Sequence, residues 1–554
     1  MTQYAGIRLS RPEPEAPPAS AKRFGHIVSV AGSQAVAVLE QTGQSIETRR
    51  RVEIGALVKI NTTISSVVGI VSAVSSPMPE SSSDKEIGLV ELLLVGEIVE
   101  DKAGGKVRFR RGVANFPAIG DPVLFAERED LTCVYVQPEA ATVEVGSLYQ
   151  DVSVPARFLV DELFGKHFII VGATGCGKSS ALTCILQRVL AGHDHAHILV
   201  LDIHSEYQRA FGDKAELISP ANLHLPFWLL NFQELSAALI STDGQHDAET
   251  EILSDAIITA KRRYADTQTG RLRRAHDAAG LTVDTPTPFR LSDVVSYLDE
   301  QLGRLERVQT TLPYRRLKSR IEALISDTRY SFMFGNLTVE DTMASVLGRI
   351  FRVPIEGRPI TVIDLAAVPS EILDVVISLI SRLAFDLAVW SEARLPMLLV
   401  CEEAHRYAPA GNTDRFLPTR QALARIAKEG RKYGISLALV TQRPSDLDTT
   451  ILSQCSTVVA MRLSTERDQQ VMRANTHDSA FDLLDYLPLL ADREAIVLGQ
   501  GVSMPMRIRF ADVVGAASGP RQAGFSHAWK TPNMDRAALD ETVSRWRGTS
   551  RSRG

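Results

Sequence analysis

The residues whose types and spacing could do chemistry fall into three short stretches of this 554-residue chain. The first, Gly172-Ala173-Thr174-Gly175-Cys176-Gly177-Lys178-Ser179, fits G-x-x-x-x-G-K-[ST] and runs on into Ser180. Glycines at these positions let consecutive backbone N–H groups turn toward one anion, and a following helix adds the positive end of its dipole. Lys178 would reach the β- and γ-phosphates of a nucleoside triphosphate, and Ser179 would coordinate Mg²⁺. The second stretch is the apolar run Leu398-Leu399-Val400-Cys401 ended by Glu402 and Glu403. Glu402 is expected to hold Mg²⁺ through a water, although aspartate is the more usual first acid. Glu403 is expected to orient or deprotonate the water that attacks the γ-phosphate. A second acid at this place favours hydrolysis over simple binding. In the third stretch Gln442 follows the apolar run from Ser436 to Thr441. Its amide can bond both the γ-phosphate and the attacking water, or it can simply end a strand.

Two further groups belong beside these. Asp202 closes the next apolar run along the chain, one strand away from the glycine-rich loop, with Glu206 just after it. Acids there face the ligand edge of an α/β sheet. Between Glu403 and Gln442 lies a basic cluster, Arg425-Ile-Ala-Lys428-Glu429-Gly430-Arg431-Lys432. It either complements a helix dipole or supplies an arginine finger to a neighbouring subunit's nucleotide. Arg431 is the first choice for that finger and Arg425 the second.

These groups need strands and helices to hold them. Phe168–Val171 reads as a strand, and Leu182, Ile185, Leu186, Val189 and Leu190 have helical spacing. Further strands are expected at 198–202, 359–364, 396–401, 436–441, 457–462 and 495–498, with a long helix at 370–390. The fold class is α/β, a RecA-like core over residues 141–232 and 347–512, entered through a linker at about 140–162. It is interrupted at 233–346 by a helical insertion, with helices at 234–240, 249–264, 291–312 and 314–325. Seven short runs between 22 and 140 predict a small β-barrel, with Ser81–Lys85 as a loop tip. On the barrel, Arg108, Arg110 and Arg111 form either a nucleic-acid contact or a solvated strand face. Residues 1–21 are proline-rich and expected to be disordered. Residues 513–554 form an extension with one helix near 534–546 and a basic end.

Bulk properties set outer limits. The formal net charge is −5, from 61 basic and 66 acidic residues, which does not advertise nucleic-acid binding yet leaves room for a local basic surface. The five cysteines are scattered without a C-x-x-C pair, so disulfides and zinc are not expected and the cytoplasm is. The most apolar long segment, 375–390, carries Arg382 and Asp386 and reads as a buried helix, so no membrane association is expected. No second catalytic centre is evident.

The stretches HFIIVGATGCGKS, LDIHSEY, LLVCEEAHRYAP, IAKEGRKYGISLALVTQRPSDLD and REAIVLGQG, in this order, resemble the HerA-type ATPases of the wider group that includes the FtsK pumps. The family's D-P-H-G-E-Y is here Asp202-Ile-His-Ser-Glu206-Tyr207, without the Pro and Gly. The resemblance implies a homo-hexameric ring with ATP and Mg²⁺ at subunit interfaces, translocating on double-stranded DNA and partnered by a nuclease or a sirtuin-like effector. Arg406, Arg415 and Arg420, on the loop after the acid pair, are then expected to contact DNA phosphates, the other reading being an ordinary surface loop. The competing functions are an ATP-gated scaffold that assembles an effector without translocating, and a ring ATPase that moves protein.

Overall fold

A computed structural model describes residues 23–39, 52–76, 88–100, 107–136, 140–240, 247–268, 280–304, 308–335, 339–411, 417–476, 481–513 and 535–549. The proline-rich tail, the Ser81–Lys85 tip, Arg415 and the last five residues lie outside them. The chain divides into two compact units, residues 1–137 with 150–154, and residues 138–149 with 155–554.

All seven β runs expected in the first unit form: β1 (Arg23–Ala31), β2 (Gln34–Leu39), β3 (Leu57–Asn61), β4 (Ser66–Ser75), β5 (Leu89–Glu100), β6 (Val107–Arg111) and β7 (Pro122–Phe125). Six of them close in the order β2-β1-β7-β3-β4-β5, with β5 returning to pair with β2. Closure removes the exposed edges that a six-stranded sheet would otherwise present. The period-2 alternation points Ala35 and Ala37, Val58 and Ile60, and Val90 and Leu92 into one core. β6 stays outside the ring, paired only with β5. There Arg110 reaches back 3.0 Å to the fully buried Glu97, which gives one of the three arginines a structural role. A helix at Arg128–Tyr135 was not expected, because Thr132, Val134 and Tyr135 are strand-favouring residues. A capping box between Glu127 and Asp130 starts it nonetheless.

The second unit is built on an eleven-stranded sheet. Its strands are β8 (Thr142–Leu148), β9 (Pro155–Leu159), β10 (His167–Val171), β11 (Ile198–Asp202), β12 (Ala215–Ile218), β13 (Ile360–Asp364), β14 (Met397–Cys401), β15 (Ile435–Thr441), β16 (Cys455–Ala460), β17 (Glu494–Gly499) and β18 (Met506–Phe510). Their order is β12-β13-β11-β14-β15-β10-β16-β17-β18-β8-β9. The strands from β12 to β16 are parallel, and β17, β18, β8 and β9 continue the sheet antiparallel. β10, β11, β14 and β15 are buried at every position, as apolar runs covered on both faces must be.

Three expectations about this unit need correction. The expected linker is instead β8, β9 and a short helix at Val160–Phe164, an antiparallel edge added to the core sheet. Asp202 is not one strand away from β10: β15 and β14 lie between, because strand order in a parallel sheet does not follow chain order. The helix expected at 291–312 stops at Leu302 before Gly303, and Pro313 lies inside the next helix, Val308–Ser326. The expected helices near 234–240 and 249–264 form as Phe232–Leu239 and Asp247–Gln268.

The long helix Ser370–Trp390 is buried along most of its length. Among the described residues no helix is long and apolar enough to cross a membrane. Arg382, on this helix, is locked to Glu234 at 2.9 Å and to the Leu229 carbonyl at 2.6 Å. Glu234 is 1% exposed and also accepts a hydrogen bond from Ser378. Arg382→Met is therefore expected to strand a buried carboxylate and cost about 3–5 kcal/mol. The midpoint of urea unfolding measures it; an unchanged midpoint would mean that Glu234 finds another partner.

Candidate active site

The phosphate loop sits where β10 ends and the helix Lys178–Gly192 begins. Gly175 and Gly177 have φ of +81° and +105°, a region closed to most side chains. Nothing lies within 4 Å of where a Gly175 side chain would start, so that face of the loop is open to a ligand. The loop is tied down from behind. The Ala173 N–H donates to the Arg462 carbonyl at 2.7 Å, and the Arg493 N–H donates to the Cys176 carbonyl at 2.8 Å. Cys176 itself is buried, so the loop turns its backbone rather than this thiol outward. Lys178, 7% exposed, places its ammonium 3.3 Å from the Ala173 carbonyl, across the mouth of its own loop. Backbone N–H groups, a helix N-terminus and a held ammonium fit a triphosphate.

Carboxylates arrive from the ends of β11 and β14, on the far side of β15. The Ser179 hydroxyl donates to Glu206, which brings the expected metal-ligating hydroxyl against an acid. Asp202 is placed behind that contact. Its two oxygens accept the N–H groups of His204, Glu206 and Tyr207 at 3.2, 3.1 and 2.9 Å. Its carboxylate is thus committed to shaping the turn that presents Glu206, a positioning role in place of the expected nucleotide contact. The missing Pro and Gly of this motif leave the turn intact, with Ser205 adopting φ +58°.

β14 delivers the acid pair, and β15 stands between it and the phosphate loop. Glu402 is 1% exposed, and the Tyr207 hydroxyl donates to it at 2.6 Å. Burial pushes its carboxyl up to about 8; the Tyr207 bond and Lys178 pull down while Glu206 and Glu403 push up. Burial thus makes this carboxyl hold its proton more tightly than an ordinary glutamate does. A bound Mg²⁺ would supply the positive charge that ionises it, with Ser179, Glu206 and Glu402 as the residues that fit the ion.

Glu403 is in a different state. Burial alone would raise its carboxyl, yet the His405 hydrogen bond, Lys178 and the Gln442 N–H together hold it below the ordinary range. His405 Nδ1 lies 3.2 Å from it, and the Gln442 N–H donates to it at 3.3 Å. His405 is in turn 3.0 Å from the Thr441 hydroxyl. Glu403 also has φ +48°, an unusual backbone for a glutamate and a mark of a built site. Two adjacent acids are thus shifted in opposite directions. The Gln442 amide bonds the Thr174 hydroxyl, so the β15 residue touches the phosphate loop directly.

The remaining expected residues separate clearly. Arg425 stacks 4.3 Å over Phe385 and faces Asp386, so it is occupied within its own subunit. Arg431 is exposed on the turn Gly430–Tyr433, before β15 begins, and forms no ion pair with the described residues. Gln442 ends the same strand, so Arg431 lies on the opposite sheet edge from the phosphate loop. Seven strand residues, about 20 Å, separate the two edges. Arg420 donates to the Gly411 carbonyl and approaches Asp448 at 3.9 Å, which ties it to its own chain rather than leaving it for DNA. Arg406 remains exposed, 3.5 Å from His204. Ser180 follows Ser179 in the first turn of the helix. Tyr207 and His405 were given no role by the sequence, although both lie inside quoted motifs; a tyrosine and a histidine beside acids were the available signal.

Residues 143–384 match the family model for the central domain of helicase HerA. The chain is 24% identical over 473 residues to a probable helicase of Methanocaldococcus jannaschii, covering 83% of each chain. It is 25% identical over 400 residues to the DNA double-strand break repair helicase HerA of Pyrococcus furiosus, covering 66% of this chain and 69% of that one. Among solved structures, VirB4 of Thermoanaerobacter pseudethanolicus aligns with a TM-score of 0.48 at 16% identity, covering 68% of this chain and 98% of that one. A likeness of that degree decides nothing about function. The phosphate loop, the paired acids two strands away and the helicase relatives along most of the sequence make this chain similar to the HerA-type P-loop ATPases.

Proposed function

We propose that this protein is an ATP-driven translocase and helicase on double-stranded DNA, working as a homo-hexameric ring with ATP and Mg²⁺ between subunits. The observation that carries the reading is the placement of Arg431. It is exposed and forms no ion pair among the described residues, on the sheet edge away from its own phosphate loop and out of reach of its own nucleotide. Within one subunit Lys178 and the loop N–H groups bind the phosphates, and Ser179 and Glu402 hold the metal with Glu206. Glu403, ionised and oriented by His405, takes the proton of the attacking water. Gln442, linked to Thr174 across the loop, reports the γ-phosphate to β15. The helicase relatives support duplex DNA as the track, and the sequence's single catalytic centre supports a separate nuclease or sirtuin-like effector as partner.

Two measurements test this. ATP hydrolysis should rise on adding duplex DNA, and the protein should displace a triplex-forming strand in an ATP-dependent way. Equal rates with and without DNA remove the DNA reading; hydrolysis that leaves the triplex intact reduces the protein to a scaffold. Glu403→Gln is expected to lower kcat by about 10²–10³-fold while ATP affinity stays at the wild-type level. Rapid-quench assays beside equilibrium binding check it, and retained turnover would return Glu403 to a structural role.

A further inference from the structure

The Asp202 turn delivers two neighbouring side chains to the site. Glu206 reaches Ser179. Tyr207, the next residue, is fully buried, and its N–H donates to Asp202 at 2.9 Å. A phenol taken out of water must find a partner for its hydroxyl. That partner is Glu402, whose Oε2 accepts the Tyr207 hydroxyl at 2.6 Å across 195 positions of sequence. Parallel pairing of β11 with β14 brings the two together.

The backbone of Glu402 is held by other groups. Its N–H donates to the Leu201 carbonyl at 3.3 Å, and its own carbonyl accepts the Tyr407 hydroxyl at 3.0 Å. Its carboxyl has Tyr207 as its sole hydrogen-bond partner among the described residues, on Oε2, which leaves Oε1 uncommitted. Aspartate is the more usual acid at this place, and glutamate carries one more rotatable bond. Rotamer freedom in a side chain opposes any one fixed geometry. A hydroxyl bound at the far end of the side chain restricts that freedom. The same turn thus touches both Ser179, through Glu206, and Glu402, through Tyr207.

We propose that Tyr207 is a positioning residue for the metal site: by holding one oxygen of Glu402 it leaves the other for the Mg²⁺ shell and keeps it in register with Ser179. This rests on the reading of Glu402 and Ser179 as residues of the metal and adds the group that sets their geometry. Removing a partner from behind a metal-binding side chain typically costs about 10–100-fold in metal affinity. Tyr207 is sealed within the protein, so its hydroxyl acts through Glu402 rather than on the nucleotide.

Tyr207→Phe in the full-length protein tests it, since the change removes one oxygen and keeps the ring. Mn²⁺ titrated into the ADP-bound protein and followed by electron paramagnetic resonance reads the metal directly. Its dissociation constant should rise about tenfold or more, while ADP affinity in EDTA stays at the wild-type level. Excess Mg²⁺ should bring ATP hydrolysis back toward the wild-type rate. Circular dichroism checks the fold, and a Glu402→Gln background gives a second test, in which adding Tyr207→Phe should weaken Mn²⁺ no further. Wild-type Mn²⁺ affinity in Tyr207→Phe overturns the proposal, as does an equal loss of ADP affinity with and without metal, which a merely structural role would produce. Glu402→Gln that binds Mn²⁺ like the wild type removes Glu402 from the metal site itself, a different outcome.

Discussion

Lys178→Ala is expected to abolish ATP hydrolysis and weaken nucleotide binding together. The wild-type ammonium is buried and held 3.3 Å from the Ala173 carbonyl, so its position over the loop is set before any ligand arrives. A charge fixed in a water-poor site stabilises phosphoryl oxygens without reorganising in the transition state, and losing such a group typically costs about 10²–10³-fold or more in kcat. Here the loss should be larger. Lys178 also lowers the proton affinity of Glu402 and Glu403, so its removal pushes both acids toward the neutral form. Binding of a fluorescent ATP analogue and a phosphate-release assay on the same preparation measure the two effects. Turnover at anything near the wild-type rate would mean that the loop N–H groups alone carry the phosphate charge.

The contrast between the acids shows what sequence can and cannot convey. Leu398 to Glu403 announces a strand ending in two carboxylates, and β14 does end just before them. That burial holds the Glu402 carboxyl above the ordinary range while His405, Lys178 and the Gln442 N–H hold Glu403 below it depends on groups brought in from separate places in the chain. The same holds for Asp202: its strand was legible, but its distance from β10 and its service to three backbone N–H groups follow from strand order. The barrel was legible because alternation on seven short runs has few other solutions. The β8–β9 hairpin was read as a linker because two brief strands at a sheet edge carry little periodic signal. Among the arginines, type and spacing left Arg425 and Arg431 as rivals. Packing separates them, since Phe385 and Asp386 occupy only Arg425.

The Asp202 turn and the β15 strand also show how the site is held ready. Asp202 fixes Glu206 against Ser179, and Gln442 fixes Thr174 across the loop, so both sides of the phosphate loop are tied to core strands. β15 joins that contact to Arg431 through buried, hydrogen-bonded backbone.

Arg431→Ala is accordingly expected to bind ATP like the wild type and to hydrolyse it about 10³–10⁵-fold more slowly, the range for loss of an arginine supplied to the transition state. Exposure and distance from its own loop argue that nucleotide affinity in an isolated subunit does not use it. Mixing makes the geometry testable. An Arg431→Ala subunit keeps a complete phosphate loop, and a Lys178→Ala subunit keeps its arginine. Each protein alone should be inactive, yet a mixed ring contains interfaces that pair the intact loop of one with the intact arginine of the other. Activity should therefore appear on mixing two inactive proteins, rising and then falling as their ratio is varied. Activity that fails to appear in rings shown to contain both chains, or loss of ATP binding in Arg431→Ala alone, would return Arg431 to a structural role at the start of β15.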